Sequence, residues 1–333
     1  MHLPAARRAL AEHTPALAIL VLFLGLSRLY LLATPPFEAP DEPAHYAYIR
    51  YLVDERSLPP LIVSSDPWEQ GEMHQPPLYY ALAALAVAAD GVRPADDGVP
   101  WREAFPRNPH AALGEPGAPG NRNAVLHRGI PDRATLRALR AARSLSTGCA
   151  AATVWMTYLL ARALFPRRRA LALGAMGLLA ANPQFLFIGA SVSNDPLVTA
   201  LATGALLLAA RVVRGKDRPV ATPLGMGLLA GLAALTKISG LAALALIPGA
   251  YGLRRLARRE DRSWRALAPP LLIAGLAAAS VGGWWYARNG LLYGDPLGMR
   301  THHAIFSSQV EPLSPLATLR TAIEALPSYW GVF

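Results

Sequence analysis

Cysteine and charge are both scarce in this sequence. Its 333 residues include one cysteine, Cys149, and only 16% of them are Asp, Glu, Lys or Arg. A lone cysteine excludes a disulfide framework within the chain and leaves the redox compartment open. No internal repeat is visible, and His302-His303 has no partnering pattern typical of a metal site. Hydrophobic residues make up 53% of the chain and occur in blocks, a pattern that predicts a helical membrane protein.

The apolar blocks predict an all-α polytopic membrane protein. A span needs about 20 apolar residues to cross roughly 30 Å of hydrocarbon. We expect about seven transmembrane helices, with clear candidates at 15–33, 143–165, 170–192, 196–213 and 266–287 and a short hairpin formed by 222–236 and 238–253. The first block lacks a convincing small-residue cleavage site and is too long for a removable signal peptide, so we interpret it as a span.

Arginine clusters set the predicted orientation. The net charge is +10, but the arginines lie between apolar blocks, which favours topology signals over a nucleic-acid surface. Arg7 and Arg8 precede the first span and place the N-terminus in the cytoplasm. The apolar stretch 76–92 is short for a crossing. If it crosses, the later arginine clusters all lie outside; if it stays at the interface, they are all cytoplasmic, so we expect it to stay at the interface.

With this orientation, the first external loop is long and covers residues 34–140. We expect two membrane-lying helices within it, an amphipathic one at 44–55 and an apolar one at 76–92. Its segment 93–131 is rich in Pro, Gly and Asn, which favour turns. Two interpretations remain open for that segment: a flexible insertion, or a lid that brings arginines near an anionic ligand.

An acidic stretch follows the first span directly. Asp41 is a predicted helix N-cap, with Pro43 in the first turn. Glu42 and His45 accompany it, and the spacing of four puts His45 on the same helix face as Asp41. Two acids and a histidine exceed what capping requires, so we expect chemistry at the membrane surface. A divalent cation, Mg²⁺ or Mn²⁺, held by Asp41, Glu42 or His45 is compatible with these ligands.

Other polar residues near span ends fall on the same side. Asp195 lies in the second external loop, where a simple N-cap role is the alternative. Lys237 lies at the outer tip of the hairpin, where an ammonium group costs at least about 2.5–3.5 kcal/mol unless it is paired or hydrated. It either binds phosphate or snorkels to the interface. His74 begins the second membrane-lying helix, Arg28 lies near the outer end of the first span, and Arg288 leaves the last clear span.

Two motifs carry a resemblance to a known superfamily. The run from Pro40 to Tyr46, followed by the run from His74 to Tyr80, is similar to the GT-C glycosyltransferases that use polyprenyl-phosphate sugars. The closest likeness is to bacterial relatives of protein O-mannosyltransferases and of the lipid A aminoarabinose transferase. The resemblance implies that Asp41 is the catalytic base or its metal partner, with Glu42 beside it. It also implies that Asp195 is a second catalytic acid and that Lys237 lies near the lipid phosphate.

The sequence departs from that pattern in two respects. Many such transferases have a lysine directly before the Pro-Pro pair, and here Gln75 stands there. Phosphate binding would then fall to Lys237, Arg28 or a loop arginine. Family members usually continue with more helices, so we expect a single GT-C-like domain over 1–333 and leave a truncated C-terminus open.

The resemblance implies a specific activity. We expect the chain to move a sugar from a polyprenyl-phosphate donor to a hydroxyl of a glycan, lipid or protein acceptor, in a bacterial-type cytoplasmic membrane and on its extracytoplasmic side. The residues expected to contact substrate are His45, His74, Gln75, Lys237, Arg28 and Arg288. A flippase or carrier for a lipid-linked glycan is the main alternative, and a non-enzymatic assembly subunit is a third.

Overall fold

The computed structural model describes residues 5–61, 71–89, 101–108, 125–128, 132–258, 264–300 and 314–325. Within these ranges the chain is 79% helical and contains no β-strand. The extended pairing there is an isolated bridge between Arg107 and Val125. The predicted all-α fold class is therefore confirmed for the described residues.

The α-helices follow one another through the chain. In order they are α1 (Ala5–Ala33), α2 (Glu42–Glu55), α3 (Leu78–Ala89), α4 (Trp101–Ala104), α5 (Arg133–Leu164), α6 (Arg169–Ala180), α7 (Pro183–Gly189), α8 (Asp195–Val213), α9 (Ala221–Thr236), α10 (Leu246–Arg258), α11 (Ala268–Ala278), α12 (Trp284–Tyr293) and α13 (Pro315–Ala325). Two 3₁₀ segments, Ile238–Ala245 and Trp264–Leu267, precede α10 and α11, and a π-helical turn, Ala279–Gly283, joins α11 to α12.

Three helical segments of the described chain are long and apolar enough to cross a membrane. They are Glu12–Ala33, Asp195–Val213 and Arg265–Tyr293, which confirm three of the predicted spans. The predicted span 170–192 consists of α6 and α7, which meet at a bend of 62° and raise the number to four if they are one span. The bend occurs where Asn182 caps α7, its side chain accepting a hydrogen bond from the Phe185 amide at 2.8 Å.

The predicted span 143–165 is the second part of a longer helix. Helix α5 begins ten residues earlier, at Arg133, because Asp132 caps it and accepts a hydrogen bond from the Thr135 amide. Its first turns are amphipathic, with Leu139 buried and Arg140 exposed. The helix packs along α8 and α1, so it continues without a break from the end of the first loop into the helical bundle.

The helices of the first loop are packed within the protein. Helix α2 forms as predicted, but all residues from Glu42 to Ile49 are buried, so its first half does not simply lie along a membrane. Phe37, Tyr46 and Phe105 form an aromatic core together with Trp101. The described parts of 93–131 therefore pack against the acidic stretch; the remainder of that segment lies outside the described residues.

Close backbone packing fixes the last long helical segment against the hairpin. A Cβ atom on Gly231 would lie 2.7 Å from the Ala278 carbonyl oxygen, and one on Gly282 would lie 2.7 Å from the Gly231 carbonyl oxygen. Only glycine permits this approach between α9 and the π-helical turn. The Tyr286 hydroxyl also donates to the Ala234 carbonyl at 2.6 Å. The end of α9, which carries Lys237, is therefore held against α12.

Candidate functional site at one end of the bundle

A buried ion pair forms the foundation of the site. The Arg143 guanidinium binds the Glu42 carboxylate through two hydrogen bonds of 2.8 and 2.6 Å. Their side chains are 3% and 0% exposed. Arg143 also donates to the carbonyl oxygens of Leu31, Thr34 and Pro35. This single side chain from α5 therefore satisfies the carboxylate and the carbonyl groups where α1 ends.

Glu42 is saturated by groups of its own chain. Besides Arg143, its two oxygens accept hydrogen bonds from the backbone amides of Phe37, at 3.0 Å, and Val192, at 2.9 Å. A carboxylate with four donors and no exposed surface has no free oxygen for a substrate or a cation. The expectation that Glu42 is catalytic or binds metal is therefore at odds with its surroundings, which give it an architectural role.

Asp41 is arranged quite differently from its neighbour. It occupies the N-cap position of α2 in a left-handed conformation, φ 56° and ψ 5°, and makes no side-chain capping hydrogen bond. The predicted capping interaction is thus absent. A positive φ is uncommon for a residue other than glycine and is often found at functional sites. Asp41 is also exposed, so its carboxylate is accessible to a ligand.

The Tyr80 hydroxyl connects three polar side chains, those of His45, Glu72 and Asn194. The Nδ1 atom of His45 lies 2.9 Å from it, and the hydroxyl donates to the Glu72 carboxylate at 3.3 Å. The Asn194 side-chain amide donates to the same hydroxyl at 3.3 Å. Stacking between Tyr48 and Tyr80, with ring centroids 3.9 Å apart, holds the phenol in place. The cluster joins α2, α3 and the turn before α8.

Electrostatics separate the roles of His45 and Glu72. Burial lowers the pKa of His45 to about 3, and the positive charge of Lys237 acts in the same direction. His45 is therefore neutral near pH 7, so it can form hydrogen bonds to a ligand but carries no positive charge. Burial and then the negative charge of Asp41 raise the pKa of Glu72 to about 7, with Lys237 opposing them. Glu72 thus exchanges a proton near neutral pH, as a group used in acid–base chemistry would.

Asp195 and Lys237 form an ion pair at the same place. The Lys237 Nζ atom lies 2.5 Å from Oδ1 of Asp195, and the two side chains are 27% and 48% exposed. Lys237 lies in extended conformation directly after α9, as predicted for the hairpin tip. Asp195 begins α8. The Ser193 hydroxyl donates to the Asp195 carboxylate and accepts a hydrogen bond from the Asp195 backbone amide. The pairing offsets the burial of the ammonium and leaves both groups partly open to a ligand.

The other predicted substrate residues differ in their placement. His74 is buried and packs against Gly298. It lies near enough to His45 to contribute, after burial and Lys237, to the lowered pKa of that residue. Gln75 is buried, and its Oε1 atom has no hydrogen-bond partner in the described chain. Arg288 stacks over Trp285, and its charge opposes the burial that raises the pKa of Tyr48, so it lies at the edge of the cluster. Arg28 is exposed on α1, and no contact places it in the cluster.

Metal binding receives no support from the described residues. They contain no group of three or more His, Cys, Asp or Glu side chains arranged to hold an ion. The expected set of Asp41, Glu42 and His45 does not form such a group, because Glu42 is bound to Arg143 and His45 to Tyr80. Asp41 and Glu72 are the carboxylates in this cluster that are not committed to a cation of the chain.

Part of the chain matches a model of a known protein family. Residues 137–285 match the family model described as dolichyl-phosphate-mannose-protein mannosyltransferase, a GT-C type family. This part of the chain is therefore similar to a GT-C type family. No curated protein and no solved structure matches the chain. The family implies a membrane glycosyltransferase of mannosyltransferase-like type that uses a polyprenyl-phosphate-sugar donor.

The part that matches the GT-C family contributes half of the cluster. It covers less than half of the 333 residues, begins within α5 and ends at Trp285. It includes Arg143, Asn194, Asp195 and Lys237, while the first loop with its acidic groups precedes it. Hydrogen bonds join the first loop to this part of the chain: Arg143 donates to Glu42, and the Asn194 side-chain amide donates to the Tyr80 hydroxyl.

Sequence reasoning missed Arg143 and Glu72. Arg143 stands at the start of the predicted span 143–165, and nothing local in the sequence reveals a partner 101 residues away. Glu72 lies two residues before His74, directly ahead of the second resembling motif, and that position was a usable signal. The neighbouring Trp68-Glu69-Gln70 gives the stretch the composition of an ordinary polar loop.

Proposed function

We propose that the chain transfers a sugar from a polyprenyl-phosphate donor to an acceptor hydroxyl on the extracytoplasmic side of a bacterial-type cytoplasmic membrane. The observation that carries the proposal is the convergence of an exposed carboxylate, Asp41, with the Lys237–Asp195 pair around Glu72. The acceptor is a glycan, lipid or protein, since each can present a hydroxyl at this surface. The bundle crosses the membrane about seven times in this proposal, with the N-terminus in the cytoplasm.

The donor phosphate is assigned to Lys237. Its ammonium is partly exposed and is held by one carboxylate oxygen of Asp195, so it retains donors for a second anion. Arg288, at the edge of the cluster, is placed to support the same phosphate or the sugar beside it. These cations stabilise the charge that accumulates on the phosphate as its bond to the sugar breaks. Gln75 replaces the lysine typical of this position and supplies only neutral hydrogen bonds.

The proton acceptor is assigned to Asp41. As the acceptor oxygen forms a bond to the anomeric carbon, the proton of its hydroxyl passes to the Asp41 carboxylate. The bond between the anomeric carbon and the phosphate oxygen breaks at the same time, and its electron pair leaves with the lipid phosphate. The sugar is inverted at that carbon. A single base suffices because the phosphate needs no protonation to depart, unlike the alcohol released in glycoside hydrolysis.

Glu72 and the Asn194–Asp195 pair support this base. Asp41 lies near enough to Glu72 for its negative charge to raise the pKa of Glu72, so ionised Glu72 places a second negative charge beside the base. Asn194 orients Tyr80, which in turn holds Glu72 and His45. Asp195 acts through Lys237, as a positioning residue for the phosphate-binding cation. Glu42 supports the base only by fixing the backbone next to it.

The proposal is tested by sugar incorporation in membranes. Membranes containing the chain are incubated with labelled polyprenyl-phosphate sugars, and labelled lipid, glycan and protein fractions are counted. Asp41→Asn is expected to reduce transfer by about 10²–10⁴-fold, the range for loss of a general base, with normal membrane insertion. Asp54→Asn is the matched control, because Asp54 lies on the same helix and pairs with Arg50 at the surface.

The outcome also separates transfer from transport. A carrier would move labelled donor across sealed vesicles and would leave the label on the lipid. Transfer to a new acceptor that is lost with Asp41→Asn and kept with Asp54→Asn supports the enzyme. Full transfer by Asp41→Asn would remove Asp41 as the base, and label that stays on the lipid in every variant would favour the carrier.

A further inference from the structure

A second polar feature lies at the opposite end of the bundle. A cavity of about 720 Å³ opens where α5 and α8 end and α9 begins. Its lining includes Leu159, Leu207 and Leu208, which precede Arg162 and Arg211 on α5 and α8 by three or four residues and are called the leucine wall below. The basic residues of the lining are Arg162, Arg211, Arg214, Lys216 and Arg218. Its volume lies within the usual range of about 300–1,000 Å³ for ligand pockets.

The distance between the two sites corresponds to one membrane crossing. Helix α8 begins at Asp195, in the candidate active site, and ends at Val213, beside the cavity. Its 19 residues rise about 28 Å, close to the roughly 30 Å thickness of the hydrocarbon core. The cavity therefore lies at the other membrane interface. Its leucine wall faces the depth of the acyl chains and its cations lie at the depth of the headgroups.

The charges around the cavity are largely uncompensated. Arg162 pairs with Glu12 of α1. Asp217, the acid between Lys216 and Arg218, pairs instead with Arg254. Among the described residues, the side chains of Arg211, Lys216 and Arg218 have no carboxylate partner. Positive-inside topology explains the sign of these charges, but it does not require them to line one cavity together with leucines.

We infer that this cavity binds the phosphate of an anionic phospholipid, with the lipid's acyl chain against the leucine wall. A phosphodiester bears the negative charge that several unpaired cations favour, and basic pockets between membrane helices bind such headgroups. The apolar wall gives a lipid an advantage over free phosphate, because only the lipid buries hydrocarbon there. The inference does not depend on the proposed glycosyl transfer, which takes place at the other interface.

Native mass spectrometry of the full, delipidated chain in detergent tests the inference. The probes are a phosphatidylglycerol, a phosphatidylcholine with identical acyl chains, and inorganic phosphate. We expect phosphatidylglycerol to bind at least tenfold more tightly than phosphatidylcholine. The double variant Arg211→Gln/Arg218→Gln should weaken phosphatidylglycerol binding by roughly 30-fold, from the loss of two interfacial cations.

Arg265→Gln provides the charge-matched control. Arg265 is exposed in the 3₁₀ segment at the same end of the bundle and does not line the cavity, so phosphatidylglycerol binding should be unchanged. Equal binding of the two lipids, or an equal loss with Arg265→Gln, would overturn the inference. Inorganic phosphate that binds as tightly as the lipid would overturn the lipid as occupant. Should the double variant fail to fold, the wild-type preference for phosphatidylglycerol must still collapse as salt is raised, since exposed charge interactions are screened.

Discussion

Removing Arg143 tests whether the Glu42 pair is the foundation of the site. Arg143→Met leaves a fully buried carboxylate with two backbone amides as its remaining donors, and it removes the guanidinium donor from three carbonyl groups. Breaking a buried ion pair from one side typically costs about 3–5 kcal/mol. That corresponds to a loss of more than about a hundredfold in the folding equilibrium. We therefore expect a severe loss of folded chain.

A second substitution should rescue part of this loss. In Glu42→Gln/Arg143→Met, no charge remains buried, and the glutamine oxygen can still accept from a backbone amide. We expect the double variant to recover at least about 2 kcal/mol relative to Arg143→Met, the signature of direct coupling. The readout is the fraction of detergent-solubilised chain that stays monodisperse through a heating series.

The control is a second ion pair on α2 that is more exposed to solvent than Arg143 and Glu42. Arg50 binds Asp54 at 2.7 Å, but these side chains are 15% and 38% exposed. Arg50→Gln should change the free energy of unfolding by less than about 1 kcal/mol, as is usual for exposed pairs. If Arg143→Met unfolds no more readily than Arg50→Gln, or if the double variant is no more stable than Arg143→Met, the architectural role of the Glu42 pair is refuted.

Three further predictions concern the cluster itself. Transfer should increase as the pH rises through about 7, because Glu72 is neutral below its raised pKa and charged above it, and Glu72→Gln should remove this step from the pH–rate profile; an unchanged profile would contradict the assignment. Lys237→Met should raise the donor KM by at least about tenfold, while Lys237→Arg keeps part of the binding; equal KM values in donor titrations would exclude phosphate contact. Gly240→Ala should destabilise the hairpin tip in heating series and weaken donor binding, since a Cβ there would lie 2.0 Å from the Ala233 carbonyl oxygen. Gly249→Ala is the control and should be neutral, because a Cβ there meets no atom within 4 Å. Equal effects of the two substitutions would refute the packing argument.

The membrane-spanning candidates were predictable because the thickness of the hydrocarbon core sets the length of the apolar run that crosses it. Glu12–Ala33, Asp195–Val213 and Arg265–Tyr293 follow the apolar blocks closely. The block 143–165 gave no indication that its helix begins at Arg133, because that extension is amphipathic and is stabilised by contacts of α5 with the first loop. Hydropathy alone likewise did not reveal the bend at Asn182, which arises from a local cap.

The site was predictable in its membership more than in its connections. Asp41, Asp195 and Lys237 were identified from their positions beside span ends and from the resemblance. The ion pair between Asp195 and Lys237 and the pairing of Glu42 with Arg143 join segments 42 and 101 residues apart. Such pairings depend on how the helices pack, which a single sequence does not specify. For the same reason adjacent Asp41 and Glu42 looked equivalent, although one is exposed and the other is saturated.

The most direct test of the account is the sidedness of its two ends. In a Cys149→Ala background, single cysteines at Asp41, Asp195 and Lys216 are treated in intact cells with a membrane-impermeant thiol reagent. The account predicts that the cysteines at 41 and 195 react from the extracytoplasmic side, while the one at 216 reacts only after the membrane is opened. Labelling of 41 and 195 from opposite sides, or of 216 together with them, would contradict it.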